Sequence, residues 1–314
     1  MEKKEWILII NPKAGNEKGE KDLNTITGLL EASGISHQYI FTEYKNHAKE
    51  IIINYINQGF RNFIIGGGDG TLNEAVNGIF SQNICPTTDI TLAVIPIGTG
   101  NDWRRTYKIS TDYKEAVDLI KQENWKLQDV GKVIYTKANK PFTHYFINIA
   151  GLGFDAVVVD KTNIHKEKSR KKGSGNSKIR YLLNVLKYLL HYKKTYCSIV
   201  TDQDSYEGIT LSFAVCIGKY NGGGMMPAPL SVSDDGLFDL TIFTNVTKKE
   251  VIFNVHKLFN GKIYNLKKVK LIRCSEVKIE STPNVLIEAD GEVLASTPAI
   301  FTIIPRCLKI ITSA

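Results

Sequence analysis

Between residues 66 and 73 the chain reads Gly66-Gly67-Gly68-Asp69-Gly70-Thr71-Leu72-Asn73, a run of small residues carrying one carboxylate and one hydroxyl. The apolar Phe63–Ile65 precedes it, and Leu72, Ala75, Val76, Ile79 and Phe80 follow at helical spacing. Strand, glycine loop and helix therefore succeed one another. Thr71 and Glu74 have the separation of a capping box, which predicts a helix starting at Thr71. Backbone without side chains at such a start lets phosphate oxygens reach free N–H groups and the positive end of the helix dipole. Asp69 puts a carboxylate where an anion would sit, which makes sense only with a cation or a proton transfer. The combination points to a nucleoside triphosphate site.

Two further loops repeat this chemistry. Gly98-Thr99-Gly100-Asn101-Asp102 follows the apolar Leu92–Ile95, and Asn11-Pro12-Lys13-Ala14-Gly15 follows Trp6–Ile10. One glycine-rich turn is weak evidence, because such turns are common. Two at strand ends, each with Asp and Thr, are much harder to attribute to turn chemistry. No Gly-Lys-Ser/Thr is present, so this is not a Walker loop. Charge neutralisation at a triphosphate would come from Mg²⁺ and from the loop dipoles. The six histidines are scattered, with no nucleophile–base pattern around them.

The elements that must position these loops alternate as in βαβ units. Helical patterns at Leu23, Ile26, Leu29 and Leu30 and at Ala48, Ile51, Ile52, Tyr55 and Ile56 are closed by Gly34 and Gly59, with Gln38–Phe41 a strand between them. Asp112 and Glu115 open another helix. This predicts an α/β domain with a parallel, Rossmann-like sheet, whose ligands lie beyond the carboxyl ends of the strands. Asn11, Thr42, Gly67 and Gly98 all fall there. After Val130 the rhythm becomes strand-rich: Val130–Tyr135, Phe142–Ile149, Tyr196–Val200, Ile209–Ile217, Leu237–Phe243, Val277–Ile279, Val285–Glu288 and Ile300–Ile304. Helices are expected only around Tyr181–Leu190 and after the Thr247/Glu250 capping-box pair. The second half reads as a mainly antiparallel, β-sandwich-like domain.

A chain of 314 residues, 43% hydrophobic and 23% charged, suits two soluble globular domains. Its net charge of +8 favours phosphates or an anionic membrane surface as partners. The five cysteines are scattered, without metal-site spacing, and read as core thiols in a reducing compartment. No apolar run approaches a signal-peptide core or the roughly 20 residues of a membrane span. The expectation is a cytoplasmic protein with at most peripheral membrane contact. The polar, basic stretch from Asp160 to Arg180 reads as a surface loop, with contact to anionic lipid as its functional alternative.

Six pieces, in this order, resemble the diacylglycerol kinase catalytic-domain family, which includes bacterial lipid kinases and sphingosine and ceramide kinases. They are Asn11–Gly15, Gly66–Asn73, Pro96–Asp102, Gly151-Leu-Gly-Phe-Asp155, Asp234–Asp239 and Asp290-Gly291-Glu292. The Gly-Gly-Asp-Gly-Thr piece is shared with NAD kinases, which are the enzymatic rival; the later motifs separate the two. A non-catalytic lipid- or nucleotide-binding module is the rival from another class.

The resemblance implies an ATP-binding domain at 1–129 and 305–314 and a lipid-binding, catalytic domain at 130–304, with the last strand near Leu308–Ile311 returning to the first domain. It implies ATP on Asn11, Thr42, Gly67, Gly68, Asp69, Gly70, Thr71, Leu72 and Asn73, with Thr99 near the phosphates. Asp69, Asp102 and Asp129 match aspartates proposed to hold Mg²⁺ and ordered water. Asp235, with the Val232 and Leu237 carbonyls, matches a structural Mg²⁺ loop that also reads as a hairpin turn. The Asp290-Gly291-Glu292 turn implies the base that takes the lipid hydroxyl's proton; the residues alone leave Asp290 and Glu292 open, with Glu292 favoured. Asn221-Gly-Gly-Gly-Met-Met-Pro resembles a segment near the lipid. The implied activity is an ATP-dependent lipid kinase making phosphatidic acid or an analogous lipid phosphate. Nucleic acid is not expected as a partner, and a homodimer is left open.

Overall fold

The computed structural model describes residues 5–98, 101–172 and 178–313. Four parallel strands, β1 (Trp6–Ile10), β2 (His37–Phe41), β3 (Asn62–Gly67) and β4 (Thr91–Pro96), lie in the order β4-β3-β1-β2. Successive side chains on a strand point to opposite faces, and here both faces are covered. Ile7, Ile9, Phe63 and Ile65 pack with the helices His47–Asn57 and Asp69–Ser81. Trp6, Leu8, Ile10 and Ile64 pack with Leu23–Ala32 and Tyr113–Gln122. Burial on both sides is why these strands read as unbroken apolar runs.

The second half supplies β5 (Trp125–Lys137), β6 (Lys140–Phe146), β7 (Ile149–Gly153), β8 (Thr195–Thr201), β9 (Ser205–Cys216), β10 (Phe238–Thr244), β11 (Val269–Cys274), β12 (Glu276–Thr282), β13 (Leu286–Ala289), β14 (Glu292–Ser296) and β15 (Ala299–Ile311). Their pairings with one another are antiparallel. They enclose a core that includes Phe146, Phe213, Phe238 and Phe301. The α/β domain and the antiparallel domain are those expected. One strand pair runs through both. β15 pairs with β5 along its length, shifts register between Ile304 and Leu308, and then pairs parallel with β4 at Lys309 and Ile310.

Several local expectations change. The single strand Phe142–Ile149 breaks into β6 and β7 at Ile147 and Asn148. Their N–H groups donate to the Asp290 carboxylate instead of to a neighbouring strand. The helix expected from Thr71 begins at Asp69, with Gly68 as N-cap and no side-chain cap. Glu74 does not close a box with Thr71; it accepts from the N–H groups of Asn46 and Ala48 at 2.9 and 3.3 Å and so caps the neighbouring helix. The Thr247/Glu250 box forms as expected, and Asp112 caps its helix through the Glu115 N–H. The stretch expected as a loop from Asp160 is helical, within Phe154–Lys172 and from Lys178 onward. Its Gly173–Asn176 segment lies outside the described residues. All five thiols are free; four are buried and Cys85 is partly so.

Candidate active site

The three glycine loops meet one another. Gly15 has φ +61°, and a Cβ there would lie 2.1 Å from the Ile97 carbonyl oxygen, so only glycine lets the loops after β1 and β4 close up. Asn101 is wedged between Gly68 and Gly98: its Oδ1 would sit 3.2 and 2.9 Å from a Cβ on either. Its Nδ2 donates to the Gly98 carbonyl at 3.0 Å. Asn11 Nδ2 donates to Thr71 Oγ1 at 3.2 Å, and buried Thr42 follows β2 on the same edge, its N–H bonded to the Ile10 carbonyl. At the start of Asp69–Ser81 no side chain caps the first turn, and a Cβ on Gly70 would meet nothing within 4 Å. Uncapped first-turn N–H groups beside open space fit phosphate oxygens. Thr99 lies outside the described residues. Leu72 lies in the core, its side chain on the inner wall of the adjoining cleft.

That cleft opens beside the glycine loops, with Asp69 and Leu72 on its wall. Five carboxyl groups line it: Asp69, Asp102, Asp155, Glu288 and Asp290. Asp69 Oδ2 accepts the Asp102 N–H at 2.9 Å. Asp102 accepts the Gly223 N–H at 2.6 Å and Arg105 Nε at 3.0 Å. Burial pushes the Asp69 carboxyl up to about 7, with the charges of Asp102 and Asp290 adding to it, and burial also raises Asp102. Arg105 supplies a cation to Asp102, and Asp69 has no cationic salt-bridge partner among the described residues. Two hard carboxylates suit Mg²⁺, which commonly takes one or two carboxylates together with substrate phosphates. Among the described residues no three His, Cys, Asp or Glu side chains converge on a metal position, so Mg²⁺ here would depend on phosphate oxygens.

Asp155 and Glu288 converge over Gly151. A Cβ at that glycine would lie 2.4 Å from Asp155 Oδ2 and 2.6 Å from Glu288 Oε1. Glu288 accepts the Gly291 N–H at 2.9 Å, and Asp155 accepts Asn221 Nδ2 at 3.3 Å. Burial raises both carboxyls, Asp155 to about 6 and Glu288 well above its ordinary value, and Asp155 pushes Glu288 higher still. Two like carboxyl groups brought this close disfavour double ionisation. Neither was singled out from the sequence as a site residue. Two signals were available: Asp155 ends the Gly151-Leu-Gly-Phe-Asp155 piece, and Glu288 lies between Ile287 and Ala289 at a buried position of an apolar strand.

The Asp290-Gly291 dipeptide forms the two-residue turn between β13 and β14, with φ +48° and +87°. Asp290 Oδ2 accepts Asn73 Nδ2 at 2.8 Å and the Ile147 N–H at 2.9 Å; Oδ1 accepts the Asn148 and Ile149 N–H groups at 3.1 and 3.2 Å. Burial raises this carboxyl to about 6 while the four donors pull it down. With both oxygens occupied, Asp290 clamps the chain at 147–149 and has little left to offer a substrate. Asn73, expected at ATP, spends its amide on Asp290 and the Tyr145 carbonyl and ties the first-domain helix to the second domain. Glu292 carries no such bonds; its Oε1 lies 3.4 Å from Lys45 Nζ, and the residue follows the cleft-lining Asp290 and Gly291 without lining the cleft itself.

The remaining metal expectations meet a different geometry. Arg273 bonds the Asp235 carboxylate through Nη2 and Asp239 Oδ1 through Nε at 3.1 Å, and Asp235 Oδ1 also takes the Leu237 N–H at 3.1 Å. With a guanidinium already on Asp235, the Val232–Asp235–Leu237 loop does not fit a structural Mg²⁺ as arranged. Asp129 is fully buried and accepts the N–H groups of Gly236 and Arg306, both at 2.7 Å. It braces that loop, and it is not brought into the cleft with Asp69 and Asp102.

Residues 5–133 match the family model described as Diacylglycerol kinase catalytic domain, and residues 148–312 match YegS C-terminal NAD kinase beta sandwich-like domain. A diacylglycerol kinase of Bacillus subtilis (strain 168) is 27% identical over 305 residues, covering 97% of this chain and 95% of its own. A diacylglycerol kinase of Staphylococcus saprophyticus is 26% identical over 305 residues, covering 97% and 94%. The crystal structure of a diacylglycerol kinase from Bacillus anthracis str. Sterne covers all of this chain and 98% of its own at a TM-score of 0.73 and 22% identity, a likeness of fold. Glycine loops, carboxylate cleft and both matched domains agree: the chain belongs to the diacylglycerol kinase catalytic-domain family.

Proposed function

We propose that this protein is an ATP-dependent kinase that phosphorylates the hydroxyl of diacylglycerol or a similar lipid, giving phosphatidic acid or an analogous lipid phosphate. The carrying observation is the Asn73–Asp290 bond. It ties the uncapped start of Asp69–Ser81 to the Asp290-Gly291 turn across one cleft, with Glu292 next along the chain. A donor phosphate and an acceptor hydroxyl would meet there.

The glycine-loop N–H groups, with Asn11, Thr42 and Thr71 around them, would hold the phosphates. Mg²⁺, when bound, would offset the charge of the triphosphate and of Asp69 and Asp102. Glu292 would take the hydroxyl proton as the lipid oxygen bonds to the γ-phosphorus and the bond to the ADP oxygen breaks. Glu292 suits that role because its carboxylate is not spent on backbone, whereas Asp290 orients the turn. The Asp155 and Glu288 carboxyls, both on the cleft wall, would hydrogen-bond further hydroxyls of a headgroup. Such an enzyme would meet its substrate at the inner face of a membrane, as a peripheral protein.

The test is transfer of labelled γ-phosphate to a panel of dispersed lipid alcohols and, separately, to NAD. Labelled lipid supports the proposal. Labelled NADP with no labelled lipid would replace it by the NAD-kinase reading.

A further inference from the structure

We propose that the surface formed by the two short helices Lys248–Asn254 and His256–Phe259, with the turn after them, docks on an anionic lipid bilayer. The inference rests on the lipid-kinase reading and deepens it, by naming the face that meets the membrane.

The first observation is apolar exposure that the fold does not explain. Phe253 is 76% exposed and Phe259 54%, with Ile252 and Val255 in the same segment also exposed. No residue of either helix is buried, so both lie on the outside of the second domain. Burying a phenylalanine side chain is favourable, and two left in water on adjacent helices mark a contact surface. Leu190, 57% exposed, adjoins them: Lys248 Nζ donates to its carbonyl oxygen.

The second observation is charge. From Thr247 to Lys270 the chain carries seven lysines and one acidic residue, Glu250. That segment accounts for most of the net charge of +8. Glu250 is spent on the Thr247 cap and on Lys268 at 2.9 Å. Lys249, Lys257, Lys262 and Lys267 have no acidic partner among the described residues. Exposed aromatic side chains in a lysine-rich segment match the acyl boundary and the phosphates of an anionic leaflet. A protein partner would need a comparably acidic and apolar face, whereas a bilayer presents both together.

The third observation is continuity with the cleft. The Met226 N–H donates to the Leu258 carbonyl at 2.6 Å, and a Cβ on Gly261 would touch Met226. On its other side the same segment lines the cleft through Asn221, Gly222 and Met225. Exposed Leu230 and Val232 follow directly. A bilayer seated on the helices would therefore lie against the strip of backbone that walls the headgroup cleft.

The experiment is co-sedimentation with vesicles of phosphatidylglycerol and phosphatidylcholine. It compares the wild type with Phe253→Ser/Phe259→Ser and with Lys249→Glu/Lys262→Glu. A second arm measures phosphorylation of a short-chain, monomeric diacylglycerol without vesicles. Each double variant is expected to lose at least tenfold in vesicle partitioning, with its unfolding midpoint and short-chain turnover within twofold of wild type. For the wild type, binding should weaken with salt and vanish on pure phosphatidylcholine. Wild-type partitioning by both variants overturns the proposal. So does a wild-type dimer that the phenylalanine substitutions dissociate, since the occupant would then be a second copy. If no lipid is phosphorylated, the lipid-kinase reading fails by itself, and the vesicle arm still judges the surface.

Discussion

Replacing Asp290 by alanine removes the acceptor of four hydrogen bonds at once. Three donors are main-chain N–H groups of Ile147, Asn148 and Ile149, and the fourth is the Asn73 amide that ties the two domains. A buried donor left without a partner costs about 1–3 kcal/mol. Ile147 and Asn148 lie in the break between β6 and β7, where no strand offers them a partner. Allowing one or two to be recovered by water, Asp290→Ala should destabilise the protein by about 4 kcal/mol, a large part of the 5–15 kcal/mol typical of folded proteins. Asp290→Asn keeps one carbonyl oxygen and turns the other acceptor into a donor facing the Asn73 amide and the Ile147 N–H. It should lose about half as much. Urea unfolding followed by tryptophan fluorescence reads both. Activity of Asp290→Asn should fall no further than its loss of folded protein and altered turn geometry require, in contrast to Glu292→Gln. An Asp290→Ala midpoint within about 1 kcal/mol of wild type would refute the clamp, and Asp290 would return as a candidate base.

Asp69, raised to about 7 from 3.8 in a flexible chain, binds its proton more tightly when folded. Its stabilising contribution is complete below about pH 4 and is lost as pH rises through 7. Asp69→Asn should therefore raise the unfolding midpoint without Mg²⁺ most above pH 7, by at most about 4 kcal/mol, and less toward pH 4; thermal scans at pH 5 and pH 8 show the sign. The same variant should lose phosphoryl transfer. Arg273→Gln strips the cation from Asp235 and buried Asp239 and should cost about 2 kcal/mol, discounted for the half-exposed guanidinium. The wild-type midpoint, with Arg273 in place, should not respond to EDTA. Gly151→Ala drives a methyl into two carboxyl groups and should destabilise by at least about 2 kcal/mol, measurable by urea titration.

What the chain discloses before folding is local. Ile7, Ile9, Phe63 and Ile65 sit in runs apolar enough to be read as strands, and the glycine loops announce themselves by composition. What it hides is set by distant partners. Glu74 has the right spacing to cap its own helix, yet it caps the helix starting at His47, 26 to 28 positions earlier along the chain. The strand ends at Phe146 because of a carboxylate more than 140 positions later. Asn73 looks like part of the phosphate loop because it adjoins it, but its amide points 217 positions away. Asp129 and Asp235 are acids in plausible motifs whose occupants, main-chain N–H groups and Arg273, come from elsewhere in the chain. Glu288 went unmarked because strand periodicity says which positions are buried, not which buried position tolerates a charge.

The claim at the centre is that the Glu292 carboxylate takes a proton from a lipid hydroxyl while the glycine loops hold the phosphate donor. Its most direct measurement is the rate of label transfer from the γ-phosphate of ATP to dispersed diacylglycerol, with Mg²⁺, for wild type and Glu292→Gln at matched unfolding midpoints. Removal of a general base slows a reaction by about 10²–10⁴-fold. A fall of at least a hundredfold, with labelled lipid as the wild-type product, is the predicted result. A Glu292→Gln rate equal to wild type, or no labelled lipid from the wild type, would contradict it.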